Sequence, residues 1–162
     1  LGLEVTYAIQ NLHSVRLDLR VNQANYACRR SVALALLIFL GGCFYRGDKA
    51  PSEEAMTVHL GIPPRLLRDI IDELQQLGWV VQVASDGGDS SYQPAMALEK
   101  IDMAEVVASL ADDGNGCESL RHTAEWQAVT DISDRLRKVE AEALQGVALR
   151  ELVAQLAEPQ PE

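Results

Sequence analysis

The chain has 162 residues, 48% of them hydrophobic, and a formal net charge of -10 at pH 7. This length and composition predict one compact domain with a core of its own and an appendage. The longest apolar run, Val32 to Phe44, is shorter than the roughly 20 residues that span a bilayer, and the sequence lacks a signal-peptide pattern. The three cysteines, Cys28, Cys43 and Cys117, are widely spaced, as is typical of reduced thiols in a cytosolic protein.

The first predicted segment, residues 1–22, begins with LGLEVTYAIQNL, in which apolar residues repeat at helical spacing. This stretch resembles the end of the last transmembrane helix in the YihY/BrkB family of inner-membrane proteins, some of which carry a cytoplasmic C-terminal winged-helix extension. The matching residues are Gly2, Glu4, Tyr7, Ala8 and Gln10. The alternative is an amphipathic helix that packs on the domain or on a second copy of the chain.

The YihY/BrkB resemblance implies a domain on the cytoplasmic face of a bacterial inner membrane, attached through a transmembrane region that precedes Leu1. Five arginines and one aspartate give residues 16–46 a formal charge of +4. Positive segments are typical of the cytoplasmic side of membrane helices, where acidic lipid headgroups attract them. A soluble cytoplasmic protein is the alternative.

The most hydrophobic helix is predicted from Asn25 to Tyr45, because apolar side chains cover nearly its full circumference. We expect it at the centre of the domain. The stretch from Ser52 to Tyr92 then has the pattern of a helix-turn-helix followed by a β-hairpin wing. Ser52 can cap the start of a first helix, which Gly61 ends.

A second helix is predicted from Pro64 to Gly78, since proline suits a first helical turn. Its apolar residues, spaced by three and four, form one buried stripe: Leu66, Leu67, Ile70, Ile71, Leu74 and Leu77. The runs Trp79 to Val83 and Ser91 to Met96 flank a polar turn and predict two strands. Residues 23–98 are therefore predicted to be a winged helix-turn-helix, and the fold class to be mainly α with a small β-hairpin.

A helical extension is predicted for residues 99–157, and a disordered polar tail for residues 158–162. Apolar periodicity indicates a short helix that begins near Asp102, a long helix from Glu118 to about Leu144, and a last helix from Val147 to Leu156. The chain thus combines a winged helix with three further helices.

This helix order, with Trp126 near the start of the long helix, resembles the dimerisation region of winged-helix repressors of the IscR/NsrR type. Those repressors bind an iron-sulfur cluster through three closely spaced cysteines, whereas only Cys117 lies in that region here. We therefore expect no cofactor. We do expect a homodimer, whose predicted interface consists of Trp126, Val129, Ile132 and Leu136.

Two arginines, Arg65 and Arg68, are the candidate nucleic-acid contacts, because they lie at the start of the helix that enters the groove in a helix-turn-helix. The acidic residues around them disfavour binding to a polyanion; these are Asp69, Asp72 and Glu73 on the same helix and Asp86 and Asp89 in the wing. The alternative is that Arg65 pairs with Asp69, and Arg68 with Asp72, at the favourable spacing of four.

No catalytic or metal site is predicted, since His13, His59 and His122 lack any ligand spacing. Our leading hypothesis is a non-catalytic interaction and dimerisation module of a YihY/BrkB-like membrane protein. One alternative is a DNA-binding winged-helix transcriptional regulator. The other is a nuclease, which the older family label ribonuclease BN implies.

Overall fold

The computed structural model describes residues 26–84, 90–111 and 124–157, which form a mainly helical winged helix with one antiparallel hairpin. The helices are α1 (Tyr26–Arg46), α2 (Glu53–Leu60), α3 (Pro64–Gln76), α4 (Met103–Ala111), α5 (Ala124–Ala143) and α6 (Leu149–Ala157). The strands are β1 (Val80–Ala84) and β2 (Ser90–Pro94), and a short 3-10 helix, Leu98–Lys100, leads to α4. The predicted fold class, mainly α with a small β-hairpin, is confirmed.

Helix α1 lies at the centre of the fold, as its apolar circumference predicts. Leu36, Leu37 and Leu40 are at most 1% exposed, and the helix packs against α2, α3, β2 and α6. Side chains in such a position remove most of their apolar surface from water, which is the main stabilising term in folding. α1 therefore supplies the core on which the other elements assemble.

The same helix bears on the expectation that no segment could span a membrane. In the part of the chain that the structure describes, Cys28–Arg46 is long and apolar enough to cross a bilayer by length and composition. The run from Val32 to Phe44 predicted a segment too short to span a bilayer. By length and composition that prediction is wrong, because the helix continues beyond both ends of the run. The burial of Leu36, Leu37 and Leu40 is nevertheless that of a core helix.

The helix-turn-helix forms where the sequence predicts it. Ser52 Oγ accepts a hydrogen bond from the backbone N–H of Ala55 at 3.3 Å and so caps α2. Gly61 ends α2 with a φ of 64°, a left-handed conformation that favours glycine. Helix α3 then starts at Pro64 and ends at Gln76, and five of the six predicted stripe residues are buried: Leu66, Leu67, Ile70, Ile71 and Leu74. The prediction is wrong for Leu77, which is 37% exposed because the helix ends before it.

The wing is a two-stranded hairpin in which Val80 pairs with Pro94 and Ala84 pairs with Ser90. It is joined to the start of the helix-turn-helix, since the N–H of Tyr92 donates to the carbonyl oxygen of Pro51 at 3.1 Å. The turn that contains Asp86 and Asp89 lies outside the described residues. The wing is thereby held beside the first turn of α2.

The C-terminal helices contribute to the same core. The N–H of Met103 donates to the carbonyl oxygen of Val147 at 3.0 Å, and the N–H of Leu149 donates to that of Ile101 at 2.9 Å. Leu149 and Val153 of α6 are buried, at 0% and 3% exposure. The division into domains at residues 98 and 99 stays a prediction, as do the segments 1–22 and 158–162, which lie outside the described residues.

Candidate nucleic-acid interface

The exposed face of α3 carries the residues that the sequence singles out for nucleic-acid contact. Arg65, Arg68, Asp69 and Asp72 are all exposed on this helix, because its apolar stripe faces the core. Arg65 and Arg68 lie in the first two turns of α3, where a helix-turn-helix contacts base edges and phosphates. The structure thus presents both arginines on one accessible surface.

Arg68 is held by a carboxylate on another helix. Its Nε donates to Glu53 Oε2 at 2.7 Å, across the turn that joins α2 to α3. This hydrogen bond and the negative charge of Glu53 raise the pKa of Arg68. The pair of Arg68 with Asp72, given above as the alternative, is wrong, because the first turn of α2 lies close enough to offer Glu53 instead.

Glu53 also contacts the wing. The hydroxyl of Tyr92 donates to Glu53 Oε1 at 3.2 Å, so that both carboxylate oxygens are engaged. Burial raises the pKa of Tyr92, and the hydrogen bond to Glu53 and its charge raise it further. One carboxylate of α2 therefore contacts both α3 and β2.

The sequence places Glu53 at the start of α2 but did not reveal this role. The contact joins residues 15 apart across a turn, a separation that no helical or strand periodicity relates. The signal that could have found it is chemical. Glu53 and Arg68 are opposite charges at the starts of two helices that a short turn brings together.

Arg65 has no side-chain hydrogen bond or ion pair with the residues that the structure describes. The alternative pair of Arg65 with Asp69 is therefore wrong as well. An arginine with both an exposed position and an uncommitted guanidinium can donate to a phosphate or to a guanine edge without first losing another contact. Arg65 is the more available of the two candidate contacts.

One acidic residue of α3 is neutralised from within the fold. Arg29 Nη2 of α1 donates to Glu73 Oε2 at 3.0 Å, and the Glu73 side chain is 18% exposed. Glu73 would thus repel a phosphate less than its charge suggests, because a paired carboxylate presents little net field. Asp69 and Asp72 remain exposed on this helix.

A cleft of about 510 Å³ lies between the starts of α2 and α3 and the wing. Its lining is mostly polar and comprises Ser52, Glu53, Glu54, Thr57, Pro64, Arg68 and Ser90. Hydroxyl groups and a guanidinium can donate to phosphate oxygens, whereas the two glutamates repel them. The cleft therefore combines groups that can donate to a phosphate with carboxylates that oppose one.

The second candidate surface is on α5. Its apolar residues remain exposed in the single chain, at 49% for Val129, 59% for Ile132, 62% for Leu136 and 62% for Val139, and Trp126 is half-buried. The helix is tied to α1 by Arg30 Nη2, which donates to Glu140 Oε1 at 2.9 Å. The structure brings the four predicted interface residues onto one helix, and their role as an interface stays a prediction.

Metal and thiol chemistry find little support in the described ranges. No group of three or more histidine, cysteine or acidic side chains there could hold a metal ion. Cys43 is buried, and burial raises the pKa of its thiol, which disfavours the reactive thiolate. His59 stacks on Phe39 with ring centroids 4.4 Å apart. Cys117, His13 and His122 lie outside the described residues.

Comparisons with known proteins give the fold. No protein-family model and no curated protein matches the chain. Among solved structures, IscR of T. potens is similar with a TM-score of 0.61 and 15% identity, covering 82% of this chain and 90% of its own. CymR of Staphylococcus aureus has a TM-score of 0.53 and 19% identity, covering 82% and 98%. CymR (YrzC) of B. subtilis, described as the global cysteine regulator, has a TM-score of 0.56 and 16% identity, covering 78% and 94%.

These similarities support a winged helix of the IscR/CymR type, in agreement with the resemblance of the C-terminal half to IscR/NsrR repressors. They give no support to the YihY/BrkB resemblance or to a membrane origin. At these identities the comparisons establish the fold class alone.

Proposed function

We propose that this chain is a winged-helix transcriptional regulator that binds duplex DNA as a homodimer. The observation that carries the proposal is the exposed start of α3, where Arg65 has no side-chain partner among the described residues and Arg68 borders the cleft, on a fold similar to IscR and CymR. In this arrangement α3 enters the major groove and the wing follows the adjacent backbone. The regulator acts in the soluble cytoplasm, and the proposal replaces the membrane-module hypothesis.

The second half of the proposal concerns the partner on α5. Val129, Ile132, Leu136 and Val139 follow a spacing of three, four and three, the repeat of a helix that packs along another helix. A second copy of the chain is the proposed occupant, because a two-fold interface buries the same stripe on both partners. Such a dimer presents two copies of α3, which suits two half-sites about 34 Å apart.

The net charge of -10 sets the conditions of the test. Phosphate contacts release counterions, so binding should be strongest at low salt and should weaken steeply as salt rises. Fluorescence anisotropy of a random-sequence 25-base-pair duplex in 50 mM NaCl measures general binding. Selection from a randomised duplex library then identifies the preferred site.

We expect the Arg65→Ala variant to lose about tenfold or more in affinity for the selected site, since one bidentate base contact contributes about 1–3 kcal/mol. Arg150→Ala is the matched control, because it removes the same charge from α6, where Arg150 pairs with Glu99. The proposal fails if the wild-type protein binds neither duplex in 50 mM NaCl. It also fails if Arg65→Ala and Arg150→Ala have equal effects.

A further inference from the structure

The most unusual feature of the α3 surface is that one of its two arginines is already bound by an acid. Glu53 engages Arg68 at 2.7 Å through one oxygen and Tyr92 at 3.2 Å through the other. The Tyr92 side chain that anchors the carboxylate is only 6% exposed. Because Tyr92 belongs to β2, the wing fixes the position of Glu53, and Glu53 in turn fixes the guanidinium of Arg68.

We propose that Glu53 is a specificity-determining residue, which masks Arg68 from DNA phosphates and so suppresses sequence-independent binding. This inference rests on the proposed DNA-binding function. In a helix-turn-helix the first helix crosses the phosphate backbone while the second reads the bases. Glu53 occupies the first turn of that first helix, α2, where its negative charge opposes the backbone.

The geometry separates the two kinds of contact that an arginine makes with DNA. Phosphate contacts respond mainly to net charge, and the Glu53 carboxylate cancels the charge of Arg68. Base contacts respond to the direction of individual N–H groups. The bond from Nε fixes the guanidinium plane, while the Arg68 side chain remains 65% exposed. The pair therefore weakens general binding and leaves directed hydrogen bonds to a base edge available.

A simpler role for Glu53 is to stabilise the positive end of the α2 dipole. Glu54 lies beside it in the same helical turn and shares that role. The side chain of Glu54 forms no ion pair with any residue in the described ranges. Glu53→Gln and Glu54→Gln thus each remove one negative charge from the same helical turn. Only Glu53→Gln removes the carboxylate that pairs with Arg68.

The test measures affinity for the random-sequence 25-base-pair duplex by anisotropy over a range of NaCl concentrations. We expect Glu53→Gln to bind the duplex about three- to tenfold more tightly than wild type. The slope of log affinity against log salt should become steeper by about 0.9, the increment for one added phosphate contact. Discrimination between the selected site and the random duplex should fall correspondingly.

Three further variants constrain the result. Glu54→Gln should gain clearly less than Glu53→Gln, and the gain should disappear in the double variant Glu53→Gln/Arg68→Ala. Tyr92→Phe keeps the carboxylate but releases its second oxygen, so we expect an effect between those of wild type and Glu53→Gln. Equal gains in Glu53→Gln and Glu54→Gln, or a gain that persists without Arg68, would overturn the inference.

A measurement without DNA keeps this inference distinct from the proposed function. In NMR spectra, the Arg68 Nε–H should exchange slowly with water in wild type and Glu54→Gln, and rapidly in Glu53→Gln. Rapid exchange in wild type overturns the masking contact even if the protein binds DNA. Slow exchange together with no binding by any variant instead overturns the regulator function, and the role of Glu53 in specificity with it.

Discussion

Helices α3 and α5 carry the same kind of apolar stripe, but they meet different surroundings. On α3, Leu67 and Ile70 are 0% exposed, whereas on α5, Ile132 and Leu136 are 59% and 62% exposed. Both patterns follow the spacing of an amphipathic helix. The comparison shows that periodicity identifies the face that will be covered, and that the position of the helix in the fold decides whether its own chain covers it.

The cover of α3 is complete because α1, α2 and β1 pack against it. Helix α5 contacts α4 and is linked to α1 through the pair of Arg30 and Glu140, while its stripe faces outward. An apolar stripe of this kind on a stable protein marks an interaction surface. In the proposed regulator, α3 therefore contacts DNA and α5 associates with a second copy of the chain.

The largest expected effect is on stability and comes from a substitution in the buried stripe of α3. Leu67→Ala should lower the free energy of unfolding by about 2–5 kcal/mol, because it leaves a cavity in a fully buried site. Leu136→Ala, at protein concentrations where the chain is monomeric, should change it by less than about 0.5 kcal/mol. Urea denaturation followed by circular dichroism measures both. Similar losses in the two variants would show that α5 is covered by its own chain.

The second prediction addresses the exposed helix directly. Leu136→Glu should raise the dissociation constant of the dimer by about 100-fold or more, since an unpaired carboxylate in an apolar interface costs several kcal/mol and about 1.4 kcal/mol is tenfold. Val58→Glu is the control, because Val58 is 77% exposed on α2, away from the stripe. Sedimentation equilibrium provides the measurement, and a wild-type monomer at high concentration contradicts the prediction.

A third prediction concerns α6, whose apolar residues Leu149 and Val153 are buried within the same chain, unlike those of α5. A Cβ on Gly41 would lie 3.1 Å from Leu149 Cδ2 and 3.2 Å from Val153 Cγ2, whereas one on Gly42 would meet only the flexible end of Arg46. Both Gly→Ala changes gain about 1 kcal/mol of helix propensity. Overpacking should make Gly41→Ala less stable than Gly42→Ala by about 1–3 kcal/mol.

Thermal unfolding of the two alanine variants compares their stabilities. Gly42→Ala serves as the matched control, because it changes the same helix by the same group one residue away. Equal stabilities would show that α6 does not press closely on α1 at Gly41. The close approach of α6 to the central helix would then be excluded.

The smallest expected effects concern the two arginines that tie these helices to α1. Glu73→Gln removes the partner of Arg29 on α3, and Glu140→Gln removes the partner of Arg30 on α5. Each change should lower the free energy of unfolding by less than about 1 kcal/mol, as is typical of partly exposed ion pairs. Glu73→Gln should cost more, since its side chain is 18% exposed against 39% for Glu140. A reversed order in urea denaturation would contradict this reading of the two contacts.

Much of the fold was predictable because its signals are local. Ser52, Gly61 and Pro64 define the helix boundaries through capping and backbone conformation, and the structure places α2 and α3 there. The central position of α1 followed from its apolar circumference. These features depend on residues a few positions apart, so that one sequence contains enough information to predict them.

The partners of the arginines were not predictable in the same way. The sequence offered Asp69 and Asp72 at helical spacing, yet Arg68 binds Glu53 and Glu73 binds Arg29. Many acids lie within the same sequence distance of a given arginine, and only the packing of α1, α2 and α3 selects among them. Spacing alone therefore placed Arg65 and Arg68 on an exposed face but gave the wrong ion pairs.

The sequence by itself determined the winged helix, the exposed start of α3 with Arg65 and Arg68, and the apolar stripe of α5. Only the tertiary structure decided that Arg68 is held by Glu53 and the wing while Arg65 remains uncommitted among the described residues. The physical reason is the distance along the sequence over which each interaction acts. Capping and periodicity act within a few residues of one helix, whereas an ion pair forms between whichever opposite charges the folded core brings within about 4 Å.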